Sequence, residues 1–203
     1  MNSKKYPDSL FTQLTETELE QVWHWRNQPG IRQNMHNSNE ISWAKHQAWF
    51  GQLSQSGKVF YIFRQNNRAI GTLYFDSAGP ERLEWGCYLG ETDVWPGSGL
   101  LLEIAALDYA AAQPHITHLY AEVLSFNQSV LKMHQLFGYQ SCPDKPAIQL
   151  KTASASAAAS PDEPYCIKVF QYQTAHWRAM RSNILARLPK QISAAADYIH
   201  FQD

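Results

Sequence analysis

The apolar positions of this 203-residue chain follow two rhythms. Over Val59–Arg64, Ala69–Phe75, Arg82–Leu89 and His118–Leu124 they alternate or run together with β-branched and aromatic residues, which predicts strands of one sheet. Over Ser98–Ala112, Leu100, Ile104, Leu107 and Ala111 recur at spacings of four, three and four, which predicts a helix with one face on that sheet. Gln113-Pro114 stops it. Upstream, Leu10–Leu14 reads as a short strand, and Thr15-Glu-Thr-Glu18 is a capping box for a helix running to about Asn27, with Leu14 and Leu19 as its hydrophobic staple. Ser42 caps a second helix, Trp43–Leu53, unusually aromatic for a surface helix. Gln65–Arg68 closes a hairpin, and Ser77–Pro80 turns the chain into Arg82–Leu89.

Beyond Tyr139 the pattern loosens. Ile148–Leu150 reads as a short strand, Thr152–Pro161 is an Ala/Ser run, and Tyr165–Tyr172 alternates, so the run reads as the loop of a terminal hairpin. In His176–Leu188, Trp177, Met180, Ile184, Leu185 and Leu188 form one stripe with Arg178, Arg181 and Arg187 among the polar positions. The domain itself or a dimer mate is expected to cover that stripe, in preference to a membrane. The whole chain reads as one domain, residues 1–203, with a core of about 9–178, the loop at 152–161 and a helical tail at 176–203.

The junction Val94-Trp-Pro-Gly-Ser-Gly-Leu100 leaves a strand and opens a helix, so two glycines clear side chains from the place where unpaired helix N–H groups point outward. That is an anion site. A phosphate loop of the Walker type needs Lys-Ser/Thr after its last glycine, and this chain continues with leucines; the dinucleotide fingerprint needs a third glycine where Leu102 stands. Further on, Asn127, His134, Gly138 and Tyr139 follow a strand and span a helix. With both motifs in this order, the chain resembles the GNAT superfamily of acyl-CoA N-acyltransferases, with Val94 where the loop usually has Gln or Arg and Tyr139 in place of Phe. The resemblance implies an α+β fold, a mixed and mostly antiparallel sheet flanked by helices, and acetyl-CoA as co-substrate. It implies that the backbone of Trp95, Pro96, Gly97, Ser98, Gly99 and Leu100 holds the pyrophosphate. It further implies that the strand ending at Leu89 splays from His118–Leu124, that a backbone N–H near Tyr88 or Leu89 polarises the thioester carbonyl, and that Asn127 bonds the pantetheine arm besides capping its helix.

Composition narrows the partners. Lys plus Arg (17) nearly balances Asp plus Glu (18), which leaves no electrostatic footprint for nucleic acid. No apolar run reaches the roughly 18 residues of a membrane span. Cys87, Cys142 and Cys166 show no metal spacing and no signal peptide precedes them, so a reduced, cytoplasmic protein without a metal is expected.

Acyl transfer to an amine needs a base for the ammonium and a proton for the departing thiolate. His134 is the candidate acid; its other reading is a satisfied core histidine. Alternation places Glu122 with Tyr120 and Leu124 on one strand face, and Glu84 with Gly86 and Tyr88 on a neighbouring one, so either carboxylate is a candidate base. For the acceptor, Trp25-Arg26-Asn27, Met35, Ile41-Ser42, His46 and Trp49, with Glu84-Trp-Gly-Cys-Tyr88, resemble the GNAT branch that holds ribosomal-protein and sugar-nucleotide acetyltransferases. The nearest resemblance is to enzymes that acetylate the 4-amino group of a UDP-linked 4-amino-4,6-dideoxy sugar in pseudaminic acid biosynthesis. Arg26 or His46 would then meet nucleotide phosphate, and Met35, Trp49 and Tyr88 the sugar's methyl group. A protein N-terminal acetyltransferase and an acyl-CoA-binding module without turnover stand as alternatives.

Overall fold

A computed structural model describes residues 6–145 and 166–202. The chain runs β1 (Ser9–Gln13), α1 (Glu16–Asn27), α2 (Pro29–Arg32), α3 (Trp43–Leu53), β2 (Val59–Gln65), β3 (Arg68–Gly79), β4 (Arg82–Leu89) and α4 (Ser98–Ala112). It continues with β5 (His118–Leu124), α5 (Gln128–Phe137), β6 (Gln140–Lys145), β7 (Ile167–Gln173), α6 (Thr174–Leu185), α7 (Lys190–Ala195) and β8 (Ile199–Gln202). The strands form one sheet in the order β6-β7-β5-β4-β3-β2-β1-β8. Only β4/β5 and β1/β8 pair in parallel. The sheet is thus mixed and mostly antiparallel, as expected.

Local chemistry accounts for most boundaries. Thr15 caps α1, accepting from the Thr17 N–H (3.3 Å) while the Glu18 carboxylate takes the Thr15 N–H (3.3 Å). Leu14 and Leu19 are buried beneath that cap. Asn66 and Asn67, both at positive φ, make the two-residue turn between β2 and β3, a backbone region asparagine tolerates. Gly138 at φ +87° ends α5, its N–H bonding the His134 carbonyl.

The two sheet faces carry different helices. On one, α4, α6 and α7 cover Phe11, Tyr61, Phe75, Trp85, Leu119 and Tyr172; on the other, α1 and α3 cover Phe60, Ile62 and Ala69. Leu101, Leu102, Ile104, Ala105, Ala106, Leu107 and Ala110 are all buried, so α4 is apolar on nearly every side where the spacing suggested one face. The reason is α6 and α7, which close over its back. Trp177 and Arg181 of α6 both reach Asp108 of α4 (2.8 and 2.7 Å). The stripe of α6 is therefore covered by its own domain. Among the described residues no helix is long and apolar enough to cross a membrane.

Several boundaries differ from expectation. β3 runs on through Ser77–Gly79, with a register shift there, and the turn falls at Pro80 and Glu81. β6 (Gln140–Lys145) had no legible pattern because Pro143 and a register shift between Cys142 and Lys145 break its alternation. It does pair with β7, as a terminal hairpin should; Ile148–Leu150 and the Ala/Ser run lie outside the described residues. The tail is not wholly helical. After α7 it forms β8, which joins the sheet beside β1 through Ser9↔Ile199 to Thr12↔Gln202.

The tail also supports the glycine junction. Gly97 adopts φ +113°, and a Cβ there would lie 2.1 Å from Ile192 Cδ1 of α7 and 2.9 Å from the Trp95 ring. Gly97→Ala should lose roughly 1–3 kcal/mol of stability in denaturant unfolding. In an Ile192→Ala background, itself less stable by about 2–5 kcal/mol for the lost packing, the added cost of Gly97→Ala should shrink only by the steric share, because the backbone strain remains.

Candidate active site

The site is a fault in the sheet. β4 and β5 pair through only four residues, Arg82↔His118 to Trp85↔Ala121. Beyond that point β4 stays with β3 as far as Leu89, and β5 stays with β7 as far as Leu124, so the two part. Two well-paired half-sheets hold the gap open. A cavity of about 810 Å³ passes through it, lined by Glu84–Leu89 and Ala121–Leu124 and continuing to Asn127 and His134 at one end and to Arg26, Met35 and Trp49 at the other. The expected splay is thus present between the expected strands.

At one end the cavity reaches the start of α4. Gly99 lines it, and a Cβ there would meet nothing within 4 Å; the Ser98 N–H is bonded to the Trp95 carbonyl (3.0 Å) and the Leu101 N–H to the Gly97 carbonyl (3.1 Å), so an anion here would meet the amides of Gly99 and Leu100. Trp95, Pro96, Gly97, Ser98 and Leu100 do not line the cavity. The Ser98 hydroxyl turns inward to the Gln65 amide oxygen (3.0 Å) and the Trp95 carbonyl (2.7 Å). Trp95 faces a separate shallow concavity beside Tyr6 and Arg68, and Leu100 packs on the core; Pro96 belongs to the turn that delivers Gly97. Asn127 lines the cavity while its side chain accepts the Val130 N–H (3.4 Å), so capping and a cavity-facing position coexist. Tyr88 and Leu89 lie where β4 has left β5, with amides of that edge freed from a strand partner. A mostly apolar cavity that reaches a helix N-terminus fits a long thioester arm with phosphates at its far end. Among the described residues no group of three His, Cys, Asp or Glu is arranged to hold a metal.

The candidate acid and bases approach the gap from opposite faces. His134 is 1% exposed, among Trp85, Tyr139 and Phe170, on the face covered by α4. It is both a core histidine and a cavity-lining one. Its Nδ1 stands 3.3 Å from Oε1 of Glu103, a fully buried carboxylate on α4. Glu122 and Glu84 line the cavity from the α1/α3 side, and Glu122 is 3.5 Å from Nε2 of the half-exposed His36. Cys87 also lines the cavity; burial, with Glu103 adding to it, pushes its thiol up to about 12, so it holds no thiolate at neutral pH.

In the acceptor half, Arg26, Met35, His46, Trp49 and Tyr88 all line the cavity, as anticipated. Their availability differs. His46 is buried with Nε2 on the Leu19 carbonyl (3.1 Å) and its ring stacked on Trp49, and burial lowers its pKa, so it is a poor cation for phosphate. Arg26 gives Nη2 to the Asn37 carbonyl (2.7 Å), while its buried Nη1 has no hydrogen-bond partner among the described residues. Burial pushes the Tyr88 hydroxyl above its usual range, keeping it a neutral donor. Sequence reading missed Glu103 and His36. Glu103 carried a signal, the single charge in the apolar run Leu100–Leu107; His36, on a loop, carried none.

This geometry, an opened parallel strand pair with a helix N-terminus at its mouth, defines an acyl-CoA-dependent acyltransferase. Residues 9–140 match the family described as acetyltransferase (GNAT) domain, and the chain belongs to that family. It is an acetyl-CoA-dependent acetyltransferase. Two proteins from strains of Campylobacter jejuni, each named acetyltransferase PseH, are similar at 30% and 29% identity over 126 residues, 62% of this chain and 78% of theirs. Among solved structures, spermidine N-acetyltransferase from Vibrio cholerae with CoA and spermine aligns with a TM-score of 0.68 at 11% identity, over 84% of this chain and 98% of that one. Aminoglycoside acetyltransferase AAC(6')-Ib with coenzyme A aligns at 0.66 and 16% identity, over 85% and 99%. At such identities these two show the shared fold.

With its thiol held neutral, Cys87 is not expected to carry the acyl group. Cys87→Ala should keep kcat within about twofold, and mass spectrometry after incubation with acetyl-CoA should find no acetyl adduct on the parent enzyme.

Proposed function

We propose that the protein transfers the acetyl group of acetyl-CoA to the 4-amino group of a UDP-linked 4-amino-4,6-dideoxy sugar in pseudaminic acid biosynthesis, by direct attack in a ternary complex. The observation that carries the acceptor is Arg26, whose buried, unpartnered Nη1 lines the acceptor half of the cavity beside Met35 and Trp49. An unpaired guanidinium nitrogen there asks for an anionic oxygen. Lys45 adds positive charge on the same half, where Lys58 is already paired with Asp76 (2.9 Å), and the apolar surfaces suit a deoxy sugar's methyl group. The two relatives named PseH support the same reading.

Each step then has a residue. The acceptor amine enters from the α1/α3 face, and Glu122 takes its proton, with His36 linking that carboxylate to solvent. Glu84 is the rival base on the adjacent strand. The amine attacks the thioester carbonyl, whose oxygen is held by an amide near Tyr88 or Leu89. As the C–S bond breaks, His134 protonates the sulfur from the opposite face. The neutral Cys87 favours this single transfer over an acyl-enzyme. On this reading the enzyme works in the cytoplasm, where acetyl-CoA and nucleotide sugars are available.

The test is thiol release from acetyl-CoA with UDP-4-amino-4,6-dideoxy sugars beside ribosomal-protein N-terminal peptides. Release with the aminosugars alone is expected. Release with peptides alone would overturn the acceptor, and binding without any release would favour a module without turnover. Arg26→Ala should raise KM for the nucleotide sugar about 10–100-fold, with KM for acetyl-CoA unchanged. In Glu122→Gln the acid limb of the kcat/KM profile should disappear; an unchanged profile would pass the role to Glu84.

A further inference from the structure

We propose that Glu103 is a positioning residue for His134, holding a proton on Nδ1 so that Nε2 carries its proton toward the leaving sulfur. This rests on the reading of His134 as the acid. Glu103 sits on α4 with no exposure at all, in a helix otherwise apolar on nearly every side. A carboxylate taken that far from water is costly unless a partner compensates it. Within the described residues its carboxylate oxygens have no hydrogen bond of good geometry; its polar neighbours are the Tyr139 hydroxyl, a neutral donor, and His134, the ion-pair neighbour, with Nδ1 at 3.3 Å.

The surroundings leave His134 as the one group able to carry a balancing charge. From β4 come Trp85 and Cys87, from the end of α5 comes Tyr139, and from β7 come Phe170 and Tyr172. Burial first, and the negative charge of Glu103 second, raise the Cys87 thiol and the Tyr139 and Tyr172 hydroxyls, so all three stay neutral. Nδ1 is the ring nitrogen near the carboxylate, at 3.3 Å though outside hydrogen-bond geometry, and the residue also lines the cavity; on this proposal Nε2 serves the cavity side. During transfer the C–N bond forms, the C–S bond breaks, and the electron pair leaves with sulfur. Sulfur takes the Nε2 proton, and His134 ends as the neutral Nδ1–H tautomer, the form a neighbouring carboxylate favours. Without Glu103 the imidazolium that donates from Nε2 loses its compensating charge, and nothing then favours the Nδ1–H tautomer over Nε2–H once the proton has left.

The experiment uses the full-length enzyme labelled with 15N-histidine, compared with Glu103→Gln, Glu103→Leu and His134→Ala. In the parent, neutral His134 should be the Nδ1–H tautomer. Glu103→Leu should mix the tautomers and lower kcat about 10–100-fold while KM for acetyl-CoA holds. Glu103→Gln, which keeps an acceptor oxygen without the charge, should retain the tautomer, fall between the two in kcat and move the alkaline limb of kcat to lower pH. A purely structural Glu103 would lower melting temperature without moving tautomer or pH limb, and that result, or an Nε2–H parent, overturns the proposal. If Glu103→Leu fails to fold, the pH limb of Glu103→Gln decides alone. Full kcat in His134→Ala would remove the acid itself, whereas loss in His134→Ala with an unchanged Glu103→Leu would sink only the role of Glu103.

Discussion

The parting of β4 and β5 is the constraint on which the rest of this structure depends. A buried strand edge normally satisfies its N–H and C=O groups by pairing, and abandoning the ladder inside a sheet is unfavourable. Here it is tolerated because each strand is fully paired on its other side, β4 by β3 and β5 by β7. The helices reinforce the arrangement. α4 leaves from the end of β4 and α5 from the end of β5, so both of the half-sheets that border the gap project a helix beside it.

Because the gap passes through the sheet, it joins two environments that differ in polarity. Toward α1 and α3 it carries Arg26, Lys45, Lys58 and the carboxylates of Glu84 and Glu122. Toward α4 it is lined by Leu102, Trp85 and Met133, with His134 beside them and the buried Glu103 behind it. The candidate bases Glu84 and Glu122 and the candidate acid His134 therefore line one cavity from opposite faces of the sheet.

Legibility in the sequence followed locality. The capping box at Thr15, the asparagine turn, the helix opened at Gly97 and the strands Arg82–Leu89 and His118–Leu124 rest on signals a few residues long, and each forms where those signals put it. The lining residues Arg26, Met35, Trp49, Glu84, Glu122, Asn127 and His134 were legible through their place in two motifs and a cluster of aromatics, and one cavity collects them. Burial by distant segments was not legible. α4 looked one-faced because α6 and α7, which cover its back, come some seventy residues later. His46 looked available until the Leu19 carbonyl, 27 residues away, was seen to take its nitrogen. Ser98 and Trp95 belong to the loop in sequence but turn their side chains behind it.

The last feature concerns the two outer strands. β8 occupies the open side of β1 yet is only four residues long, and at the opposite margin β6 is interrupted by Pro143 and by its register shift. A long, flat and unbroken margin is a template on which another chain can extend the sheet. One margin here offers too few rungs and the other lacks a donor in its middle. Within the described residues the sheet is therefore protected against edge-to-edge aggregation at both ends, while the parting in its interior is flanked by a paired strand on either side and so lies out of reach of other chains.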